Sequence, residues 1–348
     1  MSWLIYGASG YTGELIARKA VARGLRPHVA GRSREPVDRL GSELGLQSRV
    51  FGLDAPAALD RGLEDVGLVL HCAGPFSRTS RPMADACLRR GAHYLDITGE
   101  VEVFESLAAR DAEARSRGVM LLPGSGFDVV PSDCLAAHLK QRLPSATRLA
   151  LGFQSSGRLS RGTATTLVEN LHRGGLVRRG GALVRVPAAY KTRVIDFGRG
   201  PRTAVTIPWG DVSTAFHSTW IPDIEVYLAA PAALRWALVA SRFLKPVLRS
   251  GPVQRFLKRR IQAGPPGPSE EERARGESRL WGEVLDPSGG HAVSRLRTPE
   301  GYELTALTAL AIVERALAGE TPPGFQTPSR AYGPAFILGI PGVERRDE

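Results

Sequence analysis

A glycine turn at the end of the first apolar run constrains this chain more than any other feature. Ser2-Trp3-Leu4-Ile5-Tyr6 leads straight into Gly7-Ala8-Ser9-Gly10-Tyr11-Thr12-Gly13, and a helical pattern follows over 14–23. A strand, a G-x-x-G-x-x-G turn and a helix in that order are the setting of a dinucleotide site. In it Gly7 allows the tight turn, Gly10 lets the backbone approach a pyrophosphate, and Gly13 lets the helix pack closely on the strand. The phosphate would face the helix N-terminus, where backbone N–H groups and the helix dipole favour an anion. All seven residues of the turn are assigned to the cofactor.

The second apolar run narrows the choice of nucleotide. Pro27-His28-Val29-Ala30 ends in Gly31-Arg32-Ser33, where an NAD site usually carries a carboxylate for the ribose 2′-hydroxyl. A guanidinium and a hydroxyl suit a 2′-phosphate instead. NADP(H) is therefore expected, with Arg32 and Ser33 as its readers. The third run, 49–53, ends at Asp54, which either accepts from the adenine amine or caps a helix from Ala55.

At 348 residues the chain suits two domains. Apolar runs at 4–6, 29–30, 50–53, 68–71, 94–97 and 119–122 alternate with helical patterns. They predict an α/β fold over 1–145, a Rossmann-type doubly wound parallel sheet of six strands. Ligands of such sheets lie beyond the carboxyl ends of the strands, so the following loops matter most. Cys72-Ala73-Gly74-Pro75-Phe76 is placed beside the nicotinamide half, and Thr98-Gly99-Glu100 and the 123–133 loop follow the next two strands.

From Arg148 the segments turn β-rich, at 149–154, 182–186, 190–197, 202–208 and 224–228, broken by a helix predicted over 162–171. This predicts an inserted α+β mixed-sheet substrate domain over 146–300. A helix over 302–317 then opens a 301–348 segment that returns to the Rossmann domain. Arg158, Arg161, Thr163, Thr165 and Thr166, near the start of the 162–171 helix, make a candidate carboxylate or phosphate site. The plainer alternative is a solvated surface helix.

The net charge of +11 comes almost wholly from arginine, with lysine only at 19, 140, 191, 245 and 258. Such a surface attracts polyanions: NADP, coenzyme A, an acidic carrier protein or an anionic membrane surface. No nucleic-acid motif accompanies the charge, so nucleic acid is not expected. Residues 232–261 combine Leu234, Trp236, Leu238, Val239, Phe243, Leu244, Val247, Leu248, Val253, Phe256, Leu257 and Ile261 with eight Arg or Lys. A basic amphipathic stretch of this kind can lie on a membrane, dock an acidic partner, or form a lid over a lipophilic substrate. A helical pair covering the core is the simpler reading. Residues 263–279 read as an exposed linker.

Cys72, Cys87 and Cys134 have neither metal-ligand spacing nor an even-numbered disulfide framework, and are expected as reduced core thiols without a metal. With no leader pattern and no membrane-length apolar run, the expected location is cytoplasmic, with peripheral membrane association as an option.

Four of these motifs together resemble one family. They are the 7–13 turn, Cys72-Ala73-Gly74-Pro75-Phe76, His93-Tyr94-Leu95-Asp96-Ile97-Thr98-Gly99-Glu100, and Gly126-Phe127-Asp128-Val129-Val130-Pro131-Ser132-Asp133. They look like those of the saccharopine dehydrogenase-like oxidoreductases, and within that family like the branch of trans-acting enoyl reductases of lipid and polyketide synthesis. The resemblance extends to the Gly301-Tyr302 helix and the Thr327-Pro328 turn. It implies a Rossmann domain with an inserted substrate domain, a nicotinamide cofactor and a homodimer, and it leaves the substrate open.

No tyrosine is followed four residues later by lysine, and no Cys/His cluster supports zinc-dependent hydride transfer. Phe76, Tyr94, Glu100, Phe127 and Asp128 are expected near the nicotinamide, with Tyr94, Glu100 and Asp128 as candidate acids. Asp128 and Asp133 could equally cap turns, and Tyr94 could pack within its strand. The expected activity is NADPH-dependent reduction of a C=C bond in an acyl, polyketide or lipid-type substrate. The alternatives are a saccharopine dehydrogenase-like reaction at a C–N bond and a non-catalytic NADP sensor or scaffold.

Overall fold

The computed structural model describes residues 1–155, 157–170 and 173–348. The chain begins β1 (Trp3–Tyr6), α1 (Tyr11–Ala22), β2 (His28–Gly31), α2 (Arg34–Leu44), β3 (Ser48–Val50), α3 (Pro56–Gly62), β4 (Leu68–His71), α4 (Phe76–Arg90), β5 (His93–Asp96), α5 (Val101–Ala108), α6 (Asp111–Ser116), β6 (Met120–Leu122). It continues α7 (Val130–Arg142), β7 (Arg148–Ser155), α8 (Arg161–Asn170), β8 (Gly175–Arg179), β9 (Ala182–Val186), β10 (Thr192–Asp196), β11 (Pro201–Thr206), α9 (Asp211–Thr219), β12 (Asp223–Ala229). Then come α10 (Ala232–Ser241), α11 (Lys245–Arg249), α12 (Gly251–Ala263), α13 (Glu270–Arg275), β13 (Glu277–Leu285), β14 (His291–Pro299). Last are α14 (Gly301–Leu317), β15 (Gly324–Phe325), α15 (Pro328–Tyr332) and β16 (Glu344–Asp347). Two compact units result: Met1–Val130 with Tyr302–Ala331, and Pro131–Gly301 with Tyr332–Glu348.

The first unit is a parallel sheet in the order β15-β6-β5-β4-β1-β2-β3. β1 and β4 are buried along their whole length, which is why they read as unbroken apolar runs: helices cover both faces of a parallel sheet. The order reverses between β1 and β4, and the crevice beyond their carboxyl ends is where such sheets take ligands. Beyond the six predicted strands stands a seventh, β15, which pairs with β6 through Gly324 and Phe325. Two residues are too few to show a strand period.

The close approach of α1 to β1 depends on Gly13. A Cβ there would stand 2.3 Å from the Gly7 carbonyl oxygen and 2.9 Å from Ala8 Cα, both backbone atoms that cannot rotate away. Gly13→Ala is expected to cost about 3 kcal/mol of stability, seen as a lowered thermal midpoint. Gly10→Ala, whose added Cβ meets only one oxygen at 3.3 Å, should melt almost as the parent does. Equal melting of the two variants would refute the packing role given to Gly13.

The second unit is built on a mixed nine-stranded sheet with the main order β10-β11-β12-β7-β13-β14-β16, and β8 and β9 branch from β12. Among the described residues only the central β12–β7 pair is parallel. Its limits differ from the expected cuts at 145 and 300. Helix α7 joins this unit, because Gly282 of β13 leaves room for Leu135 and Leu139 to lie against the sheet. The tail is divided: β16 pairs with β14 through Leu296 and Arg345, so 332–348 belongs here while 302–331 belongs to the first unit.

Within this unit β8 and α9 also carried no readable pattern. β8 includes Arg178, a buried arginine whose guanidinium donates to the carbonyls of Val212 and Gly181, and α9 buries its polar residues Asp211, Ser213 and Thr214. The segment read as an exposed linker contains α13, opened by a capping box in which Ser269 and Glu272 each bond the other's backbone N–H. The helix expected over 162–171 is α8; Leu171 lies outside the described residues.

Candidate active site

The turn after β1 is braced from two sides. Gly7 has φ +81°, a left-handed conformation open to glycine. A Cβ on it would stand 2.7 Å from Ala73 N, so the loops after β1 and β4 touch where the strand order reverses. Gly7 N and Ala8 N both donate to the Ala30 carbonyl, at 2.8 and 3.1 Å. Ala8, expected among the cofactor contacts, is fully buried and uses its amide inside the protein; it holds the turn to β2. Gly13 is likewise buried, whereas Ser9 and Gly10 are exposed and Tyr11 and Thr12 half-buried. No side chain caps α1, so its N-terminus presents first-turn N–H groups to an anion.

Arg32 and Ser33 stand exposed after β2. Arg32 has no ion-pair or hydrogen-bond partner among the described residues, and Ser33, although the N-cap of α2, makes no side-chain cap bond. Both groups are available for a 2′-phosphate. Asp54 does not cap α3: the N-cap is Ala55 and no side chain closes that helix. Arg32 and Asp54 both act on Tyr6, whose hydroxyl donates to the Phe51 carbonyl at 2.9 Å. Burial pushes Tyr6 up to about 12, Arg32 opposing and Asp54 adding. An uncapped helix N-terminus, a close glycine turn and an unpaired guanidinium together fit a phosphorylated dinucleotide.

The loops after β5 and β6 are held by Asp96, a buried residue absent from the expected site. Its carboxylate accepts from Tyr94 Oη at 2.7 Å, Thr98 N at 3.0 Å and Gly124 N at 2.8 Å. Burial pushes this carboxyl up to about 6, although the three hydrogen bonds pull it down. Tyr94 is fully buried, its hydroxyl committed to Asp96 and raised in pKa by burial, so it positions the loop and does not reach a substrate. Glu100 accepts from Phe76 N at 2.7 Å and Ser77 N at 3.1 Å. It ties the start of α4, where the Cys72–Phe76 loop ends, to the loop after β5, a role different from the acid expected.

Phe76 stands edge-on to His71, ring centres 5.4 Å apart. His71 is fully buried with neither ring nitrogen paired, and burial pushes it down to about 3. It is a neutral aromatic spacer among Phe76, Tyr6 and Tyr94. Cys87 and Cys134 are buried thiols, but Cys72 is only half-buried because it belongs to the loop.

Asp128 remains. Its loop is pinned by α14: Phe127 N donates to Thr305 Oγ1 at 3.0 Å and Thr308 Oγ1 donates to the Ser125 carbonyl at 2.8 Å. Its carboxylate lies against Gly99, where a Cβ would stand 2.7 Å from Oδ2. Asp128 is half-buried and has no hydrogen-bond or ion-pair partner among the described residues. Burial pushes it up to about 7, so around neutral pH it can hold or release a proton, and no described residue accepts a hydrogen bond from it. Asp133 differs, since it accepts from Ser218 Oγ.

Most of the cluster at the start of α8 is engaged within the protein. Arg161 donates twice to the Gly264 carbonyl, at 2.9 and 2.5 Å, Arg158 faces Glu272 at 3.7 Å, and Thr165 Oγ1 donates to the Arg161 carbonyl. Of the residues that position the site, His71, Asp96, Thr305 and Thr308 were not anticipated. Asp96-Ile97-Thr98 carried a signal, the Asx turn in which an aspartate accepts from the N–H two residues on. The α14 threonines, far away in sequence, carried none.

Strand order, glycine turn and unpaired Arg32 define a nicotinamide-nucleotide-binding Rossmann domain. The saccharopine dehydrogenase NADP binding domain family matches residues 3–122, so the first unit contains an NADP-binding domain of the saccharopine dehydrogenase type. The chain is 30% identical to the human saccharopine dehydrogenase-like oxidoreductase over 40% of its own length and 37% of that protein. It is 32% identical to the trans-acting enoyl reductase of Mycobacterium leprae over 40% of this chain and 35% of that one. The matched part is thus well under half of either relative. Among solved structures, the apo saccharopine dehydrogenase (L-Glu forming) of Saccharomyces cerevisiae shares the fold, with a TM-score of 0.66 over 100% of this chain and 99% of that one, at 11% identity.

Proposed function

We propose that the protein is an NADPH-dependent oxidoreductase that reduces a carbon–carbon double bond conjugated to a carbonyl, in an acyl, polyketide or lipid-type substrate. The observation that carries this reading is Asp128, whose half-buried carboxyl lies against Gly99 on the loop after β6, is raised to about 7, and has no hydrogen-bond or ion-pair partner among the described residues. Bound NADPH supplies hydride, and reduction of a conjugated double bond then needs one proton at the α-carbon. Asp128 gives that proton and recovers it from water. Asp96, Thr305 and Thr308 keep its loop in place, so little reorganisation is needed. Arg32 and Ser33 hold the 2′-phosphate, and the α1 N-terminus holds the pyrophosphate.

The likeness to a trans-acting enoyl reductase supports the choice of bond. A saccharopine-like substrate would need cations for its carboxylates, and Arg158 and Arg161 are engaged elsewhere. Purified protein incubated with NADPH and a panel of α,β-unsaturated thioesters should consume the cofactor by absorbance. Turnover with saccharopine alone would overturn the reading. Tight NADPH binding with no turnover of any substrate would favour a sensor.

A further inference from the structure

We propose that α10, α11, α12 and the Phe243-Leu244 turn form a docking face for an anionic lipid bilayer. Within this segment Trp236 is 72% exposed, Phe243 81%, Phe256 62% and Val247 53%. Among the described residues α12 buries no side chain and α10 buries only Ser241; Leu238 and Val239 of α10 pack on a small core of Ala189, Val205 and Ala230, while Trp236 on the same helix stays open. Large aromatic side chains left this open on a basic surface mark an interaction site.

The charge selects the partner. From Tyr227 to Ser269 the sequence has no Asp or Glu and eight Arg or Lys. Arg235, Arg249, Arg255, Arg259 and Arg260 have no ion-pair partner among the described residues. The helices are nonetheless fixed in place. Gln254 Nε2 donates to the Val168 and Leu248 carbonyls, Lys258 pairs with Glu169, and Arg242 donates to the carbonyls of Ala188 and Ala189. Leu159 and Leu167, beside and on the α8 helix that α12 is bonded to, are also 50% and 54% exposed.

A second copy of the chain would set these cations against themselves. An anionic bilayer instead accepts the rings at the depth of the acyl boundary, while arginine heads reach back to the lipid phosphates. No helix among the described residues is long and apolar enough to cross a membrane, so the face lies on the bilayer.

The test is co-sedimentation of the full chain, without cofactor or substrate, with vesicles of phosphatidylcholine alone and with phosphatidylglycerol added. It is therefore independent of the catalytic reading. The parent should bind the anionic vesicles, and added salt should weaken that binding. Combining Arg255→Gln, Arg259→Gln and Arg260→Gln should lower the partition about fivefold per charge, roughly 100-fold in all. Combining Trp236→Ser, Phe243→Ser and Phe256→Ser should abolish it while thermal midpoint and NADPH affinity stay at parent values. Equal binding to neutral and anionic vesicles, or full binding by either triple variant, overturns the proposal. So does failure to bind vesicles together with self-association that the aromatic triple variant removes, which would assign the face to a second copy.

Discussion

Asp128→Asn is expected to lower kcat for double-bond reduction about 10²–10⁴-fold, the usual contribution of a positioned proton donor. Its NADPH affinity should stay within about threefold of the parent, because the loop is held through Phe127 N and the Ser125 carbonyl and not through the carboxyl. In the parent, activity should decline as pH rises through about 7, where Asp128 loses its proton. The variant should lack that limb.

The same substitution has a stability consequence of opposite sign. A carboxyl raised by burial from 3.8 to about 7 binds its proton more tightly folded than unfolded. The stability it contributes is therefore complete below 3.8 and is lost as pH rises through about 7. That interval corresponds to about 4 kcal/mol, and the partial exposure of Asp128 should reduce it to about 2 kcal/mol. Asp128→Asn should thus melt higher than the parent at pH 8 and alike near pH 4, in thermal melts across that range. A variant that loses both activity and stability at pH 8 would show the carboxylate to be a structural partner. Asp96, raised to about 6, contributes in the same direction, so some of the pH dependence should persist.

Arg32→Glu is expected to weaken NADPH about 100-fold or more and to leave NADH within about threefold. The variant loses a charge-assisted contact and puts a carboxylate against the 2′-phosphate. NADH carries a hydroxyl at that position, which a carboxylate can accept from. The free state should be barely affected, since Arg32 is exposed and without an ion-pair partner among the described residues. Isothermal titration with both nucleotides measures the ratio. A parallel loss of both affinities would remove Arg32 from the 2′-phosphate.

The cofactor half of the site was legible because each of its parts lies within a few residues of a strand end. Gly7, Gly13 and Arg32 could be placed from spacing alone, since a strand of known direction fixes where its following loop emerges. The acids were harder to sort. Tyr94, Glu100 and Asp128 share similar positions after their strands, and only three-dimensional packing separates a hydroxyl committed to Asp96 and a carboxylate bound to two amides from a carboxyl left alone. Neither β15 nor β16 was readable, as each is a short edge strand that takes its register from a neighbour hundreds of residues earlier or from a distant hairpin. The buried polar elements β8 and α9 escaped for a related reason: Arg178 looks like a surface residue until its carbonyl partners are known.

The bond between Phe127 N and Thr305 Oγ1 joins residues 178 apart in sequence. A ribosome extending the chain by about 5–20 residues per second needs roughly 10–40 s to pass from one partner to the other. Through that interval the nucleotide cradle is already synthesised, but the loop bearing Asp128 lacks the helix that holds it. The same late segment brings β15 to the edge of the sheet, so the first unit is completed only when the last part of the chain is made.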